Sequence, residues 1–275
     1  RIYSSQNLRD WKFESEFGHG IGCHEAVWEC PTIFQVDGKW VLLVSTKSSM
    51  QYFIGEFDGK EFKSEFEGKD VKWTDYGFDS YATACFHNSP VITALSWMRF
   101  SDCAEKQPYK QFRGSFTIPR TFCIHQNSLC SFPLPSFEMK FDKKIDKLTD
   151  SCLVEINLKN VDAKRIFISL KNKVEAVDME INRDVQNGGV FYFNRGIKSG
   201  IHDFSDRFCL ENHAPYHVND HYSLKLFVDR HSIEIFDKEG EFSMTQVVFP
   251  RNPYTDIVVE PVDGKAEYEI TIKSF

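Results

Sequence analysis

The chain has 275 residues, a mass of 32.0 kDa and a formal net charge of −7, with 41% hydrophobic and 27% charged residues. That is the composition of one large or two ordinary globular domains, and its acidic balance argues against nucleic acid as a partner. No apolar run is long enough to cross a bilayer and Arg1-Ile2-Tyr3-Ser4-Ser5 has no apolar h-region, so no membrane partner is expected and the compartment stays unassigned.

In chain order, the first informative stretch is Trp28-Glu29-Cys30-Pro31, a carboxylate wedged between an indole and a Cys-Pro step. Two hairpins follow. Phe34–Val36 and Trp40–Ser45 flank Asp37-Gly38-Lys39, and Tyr52–Phe57 and Glu61–Lys63 flank Asp58-Gly59-Lys60. Asp-Gly suits such turns because Gly adopts positive φ freely and Asp tolerates it. Asp75-Tyr76-Gly77-Phe78-Asp79-Ser80-Tyr81-Ala82 then sets two more carboxylates among aromatic rings, and Val91–Trp97 reads as a mostly apolar strand. Carboxylates crowded by rings suit glycosidic cleavage: apolar walls raise the pKa of a proton donor, and sugar C–H faces pack on Trp and Tyr.

Residues 126–138, with Pro133 and Pro135 among serines, read as an inter-domain connection. Strands with sharper alternation resume afterwards at 152–158, 165–170, 174–181, 223–229, 232–236 and 245–249, a pattern of antiparallel sheets with one solvated face. The run Asp142–Lys147 reads as a solvated loop. No helix of ordinary length is predicted, so the fold class is all-β, in two domains: 1–130, of propeller-blade or sandwich type, and 131–275, a β-sandwich.

His213, His217 and His221 recur every four residues, but Pro215 and Asn219-Asp220 oppose the helix that would align them as metal ligands. Cys23-His24 with Cys30 lacks zinc-ribbon spacing, and the eight cysteines form no disulfide framework. Neither a Gly-rich phosphate loop nor a Gly-x-Ser-x-Gly elbow occurs. No metal and no cofactor is expected.

The ordered blocks Trp28-Glu29-Cys30-Pro31, Tyr52-Phe53-Ile54-Gly55-Glu56-Phe57-Asp58-Gly59, Asp75-Tyr76-Gly77 with Tyr81-Ala82, Ser96-Trp97-Met98, Arg113-Gly114 with Pro119-Arg120, and 226–236 resemble glycoside hydrolase family 32, the invertases, inulinases and levanases. The resemblance runs from about residue 1 to about 260. It implies a five-bladed β-propeller, here partial, followed by a β-sandwich, and retaining hydrolysis of sucrose or fructans. By the same resemblance Glu29 is the general acid/base, Asp75 supports it and touches sugar hydroxyls, and Tyr81, Trp97 and Trp28 line the fructose pocket. Asp79 recurs in many microbial members without a clear role. By the same resemblance secretion is usual, and sandwich faces in this fold can pair into a homodimer.

The family's nucleophile lies in an Asn-Asp-Pro motif and a further substrate-holding Asp in an Arg-Asp-Pro motif; neither motif is in this chain. A retaining mechanism needs a second carboxylate roughly 5–5.5 Å from the first. The expectation is therefore an N-terminally incomplete propeller whose parent is an active β-fructofuranosidase and which alone is inactive. The alternative is a catalytically inactive fructoside-binding or interaction protein of the same fold.

Overall fold

The computed structural model describes residues 1–275 apart from 47–48, 67–70, 100, 110 and 187 and the side chains of 101–103. β1 (Ile2–Ser4) and β2 (Lys12–Ser15) pair as a two-stranded ribbon. β3 (Glu29–Val36), β4 (Lys39–Thr46), β5 (Ser49–Phe57) and β6 (Phe62–Ser64) form a four-stranded antiparallel blade in chain order. β7 (Tyr81–Cys85), β8 (Ala94–Met98), β9 (Ser115–Phe116), β10 (Arg120–His125) and β11 (Ser128–Pro133) form a second blade ordered β11-β10-β8-β7, with β9 on β8. Phe34, Leu43 and Ile54 of the first blade pack against Ala94, Phe122 and Leu129 of the second.

A short helical turn, α1 (Pro135–Glu138), leads into the sandwich. Its strands are β12 (Lys143–Ile145), β13 (Ser151–Lys159), β14 (Arg165–Lys171), β15 (Ala176–Asn182), β16 (Gly189–Asn194), β17 (Asn212–Tyr216), β18 (Tyr222–Asp229), β19 (Ser232–Asp237), β20 (Ser243–Val247), β21 (Asp256–Val262) and β22 (Glu267–Ser274). They make a six-stranded sheet, β12-β22-β13-β18-β19-β20, and a five-stranded one, β17-β16-β15-β14-β21. The alternation read in the sequence sets the register. Val154 opposes Leu226 and Ile156 opposes Leu224, so their inward side chains meet Ile168, Ile181 and Phe191 of the other sheet in one core.

Three expectations are corrected. Within 126–138, residues 128–133 are strand and not connection: β11 pairs with β10 from Arg120↔Pro133 to His125↔Ser128. Gln126 and Asn127 turn the chain at φ 46° and 61°, a primed turn made without glycine. The charged run at 142–147 contains β12, which pairs with β22 at the sheet's edge. The strand expected at Val91 begins only at Ala94. His213 and Pro215 lie on β17, an edge strand where a missing N–H is tolerated, so the histidine spacing marks no helical face.

Candidate functional site

Glu29 opens β3 and Tyr81 opens β7, the first strands of consecutive blades. Each is followed by a residue of positive φ, Cys30 at 47° and Ala82 at 50°. In each strand the register also slips just beyond, between Glu29 and Thr32 and between Tyr81 and Ala84. Such bulges re-aim a side chain at a strand end, and here both are aimed at one place. The Tyr81 hydroxyl donates to Glu29 Oε2 at 2.6 Å across 52 residues of sequence. Glu29 is exposed, whereas Tyr81 is buried. Burial, then the bond to Glu29, pushes the Tyr81 phenol well above its usual pKa, so it remains a donor at any physiological pH. Ala82 N–H is held in turn by Ser45 Oγ at 3.1 Å, and Ser45 is the register partner of Glu29.

Trp97 opposes Tyr81 across β7 and β8. Its indole Nε1 donates to the Arg113 carbonyl at 3.3 Å, and its ring lies under the Arg99 guanidinium at 4.7 Å. Trp97 therefore stands beside the Glu29–Tyr81 pair with Arg99 over its ring. Trp28 is occupied differently. His24 stacks on its ring at 4.8 Å, its Nε1 donates to the Cys23 carbonyl at 2.6 Å, and Phe17 and Phe53 flank it. These contacts make Trp28 a packing post for the loop before β3.

Asp75 and Asp79 are elsewhere, and for Asp75 this corrects the expectation of a sugar-facing carboxylate beside Glu29. Both side chains are fully buried where the blades meet the sandwich. Asp75 Oδ1 accepts from Gly77 N and Thr245 N at 2.8 Å each, and its Oδ2 accepts from Arg120 Nη1 and Thr245 Oγ1 at 2.7 Å each. Asp79 Oδ2 accepts from Arg195 Nη1 at 2.6 Å and from Val247 N at 2.8 Å. The two carboxylates thus serve the outward N–H groups of β20, an edge strand, in place of a neighbouring strand. Arg120 also donates to Glu234 Oε2 at 2.6 Å, so one guanidinium joins two buried carboxylates from two domains. Desolvation raises the pKa of both Asp79 and Glu234.

The segment 75–81 is therefore anchored on the sandwich at one end and delivers Tyr81 to Glu29 at the other. Arg99, Arg120 and Arg195 were missed as partners in the sequence reading, because only the fold brings them to their contacts. Among the described residues, no three His, Cys, Asp or Glu side chains gather as a metal site.

Two blades of propeller type docked on a β-sandwich, with an exposed carboxylate at the start of β3, define a propeller-plus-sandwich protein. Residues 1–133 match the Glycosyl hydrolases family 32 N-terminal domain and residues 134–274 match the Glycosyl hydrolases family 32 C terminal domain. The chain belongs to glycosyl hydrolase family 32. It is 33% identical to the levanase of Bacillus subtilis (strain 168) over 90% of this chain and 42% of that protein. It is 28% identical to the extracellular exo-inulinase inuE of Aspergillus niger over 91% of this chain and 55% of that protein. The chain thus spans about half the length of the curated relatives it matches. The crystal structure of the exo-inulinase from Aspergillus awamori superposes with a TM-score of 0.84 at 24% identity, covering 98% of this chain and 61% of that one. The β-fructofuranosidase of Schwanniomyces occidentalis, in complex with fructosyl-erythritol, gives 0.81 at 21%, covering 98% and 64%.

Proposed function

We propose that this chain carries the acid/base half of the active site of a retaining β-fructosidase acting on sucrose or on fructans such as levan and inulin. The observation that carries the reading is the 2.6 Å bond from Tyr81 to Glu29, which holds an exposed carboxyl group at the common end of two blades. In the first half-reaction Glu29 gives its proton to the leaving glycosidic oxygen. In the second, as a carboxylate, it takes a proton from the attacking water. Tyr81, a permanent donor, fixes which Glu29 oxygen is free for that exchange. Trp97 and its neighbours form the wall beside it.

Retention needs a nucleophilic carboxylate opposite the acid/base. Asp75 and Asp79 are committed to Arg120 and Arg195 in the domain interface and are not available for it. The nucleophile in this reading comes from outside these 275 residues, and the chain alone does not turn substrate over. Levanase and exo-inulinase, the names of the relatives, set the substrate class of the proposal. The test is fructose release from sucrose and levan by the natural-length protein and by the purified 275-residue chain. Release by the first and none by the second is expected. Release by the short chain would overturn the assignment of the nucleophile, and none by the natural-length protein would overturn the fructosidase reading.

A further inference from the structure

Most arginines with buried or half-buried guanidiniums in this protein have a carboxylate or carbonyl partner: Arg120 has Asp75 and Glu234, Arg195 has Asp79 and the Phe208 carbonyl, Arg165 has Glu180, Arg183 has the Ala163 carbonyl. Arg99 departs from that pattern. It follows β8 by one residue, is half-buried, and lies over the Trp97 ring at 4.7 Å. Among the described residues it makes no hydrogen bond and no ion pair, and its Nε is buried without an acceptor. Its charge nevertheless reaches Tyr81, where it opposes the upward push that burial and Glu29 exert on the phenol.

Burying a guanidinium nitrogen without a hydrogen-bond acceptor is costly, and cation–π contact recovers only part of that cost. The two remaining guanidinium nitrogens of Arg99 are neither buried nor bonded among the described residues, and so can meet acceptors on a ligand. We propose that Arg99 is a substrate-binding and specificity-determining residue of the Glu29–Tyr81 site, holding two adjacent oxygens of the fructosyl ligand in its fork, with Trp97 as the shelf that fixes the fork's plane. The shared chemistry is a pair of oxygen acceptors, supplied either by neighbouring sugar hydroxyls or by a phosphoryl group on the sugar. This inference rests on the reading of Glu29 and Tyr81 as the edge of a fructose pocket.

The test measures equilibrium binding, not turnover, on the natural-length protein, with fructose and fructose 6-phosphate as probes. Arg99→Met should weaken at least one probe by about tenfold or more, the loss expected for a hydrogen bond to a charged donor. Arg99→Lys should fall between, because an ammonium keeps the charge and loses the fork. A loss confined to fructose 6-phosphate identifies a phosphoryl ligand; a comparable loss for both identifies hydroxyls. Should Arg99→Met fail to fold, Arg99→Lys carries the test, with about threefold weakening expected. Binding of both probes by the folded variants within twofold of wild type, or no binding of either probe by wild type, overturns the proposal. Because no catalysis is read, a Glu29→Gln protein that keeps its activity would sink the catalytic reading without changing this outcome.

Discussion

The Tyr81 hydroxyl and the Glu29 carboxylate meet at 2.6 Å although they come from different blades, 52 residues apart. Neither strand would present its first residue there without the left-handed residue and the register slip that follow it, at Cys30 in one blade and Ala82 in the other. Replacing Tyr81 by Phe removes the donor and keeps the ring. In the natural-length protein the expected result is a fall in kcat of roughly 10- to 100-fold, from the 1.5–3 kcal/mol of a hydrogen bond to a charged group. KM and Tm should change little. Steady-state kinetics with a thermal melt checks it; unchanged kcat would remove Tyr81 from the mechanism.

Arg120 ties the blades to the sandwich by donating to Asp75 and Glu234, all three groups being withdrawn from water. Removing the cation leaves two buried carboxylates facing each other's charge. Arg120→Ala should cost about 3–5 kcal/mol, the range for breaking a buried ion pair. Arg1→Ala, which removes an exposed pair with Glu16, should leave stability nearly unchanged. Urea unfolding of the two variants gives the comparison.

Gly77 lies where the segment 75–81 runs along β20. A Cβ there would sit 2.0 Å from the Thr245 carbonyl oxygen and 2.4 Å from its nitrogen, both backbone atoms that cannot swing aside. Gly77→Ala should therefore pry the segment off the sheet, at roughly 1–3 kcal/mol, and should also lower activity by loosening Tyr81. Gly38→Ala, at a turn where a Cβ meets nothing within 4 Å, isolates the backbone cost of positive φ (77° here) from the clash. The clash account requires that Gly77→Ala lose activity as well as stability and that Gly38→Ala lose stability alone.

Glu175 is buried, and burial alone would raise its pKa. Hydrogen bonds from Asn172 and from the backbone N–H groups of Arg251 and Asn252 outweigh that and hold it below its ordinary value of 4.5. Such a carboxylate binds fewer protons folded than unfolded, so its stabilisation is complete above about pH 4.5 and is lost as pH falls through the depressed folded value. The stability gap between wild type and Glu175→Gln should accordingly be widest near neutral pH and close on acidification below 4.5. Denaturant unfolding at neutral pH and in acid reads the gap; a gap that widens in acid would contradict the assigned shift.

The all-β fold and much of the sandwich are legible because one buried face imposes period-two alternation, as in β14 and β15, where buried and half-exposed residues alternate along the strand. The hairpin at Asp37-Gly38 is legible because both residues take the positive φ their types favour. β11 is hidden because its turn uses Gln126, a residue with no turn preference, and because Pro133 and Pro135 mimic a linker. At the site, Glu29 and Tyr81 are marked by motif, but their partnership is not, since strand register and bulges decide it. Asp75 and Asp79 look like site carboxylates until their arginines are found 45 and 116 residues away. Sequence proximity to aromatic rings is the same for a catalytic acid and for an anchored one; only the long-range partners separate them.

The central claim is that Glu29 is the proton donor to the leaving group. The measurement that tests it most directly compares Glu29→Gln with wild type, in the natural-length protein, on sucrose and on an aryl fructoside whose leaving group needs no protonation. The account predicts a loss of roughly 10²–10⁴-fold in kcat/KM on sucrose and a far smaller loss on the aryl fructoside. Equal losses on both substrates, or none on sucrose, would contradict it.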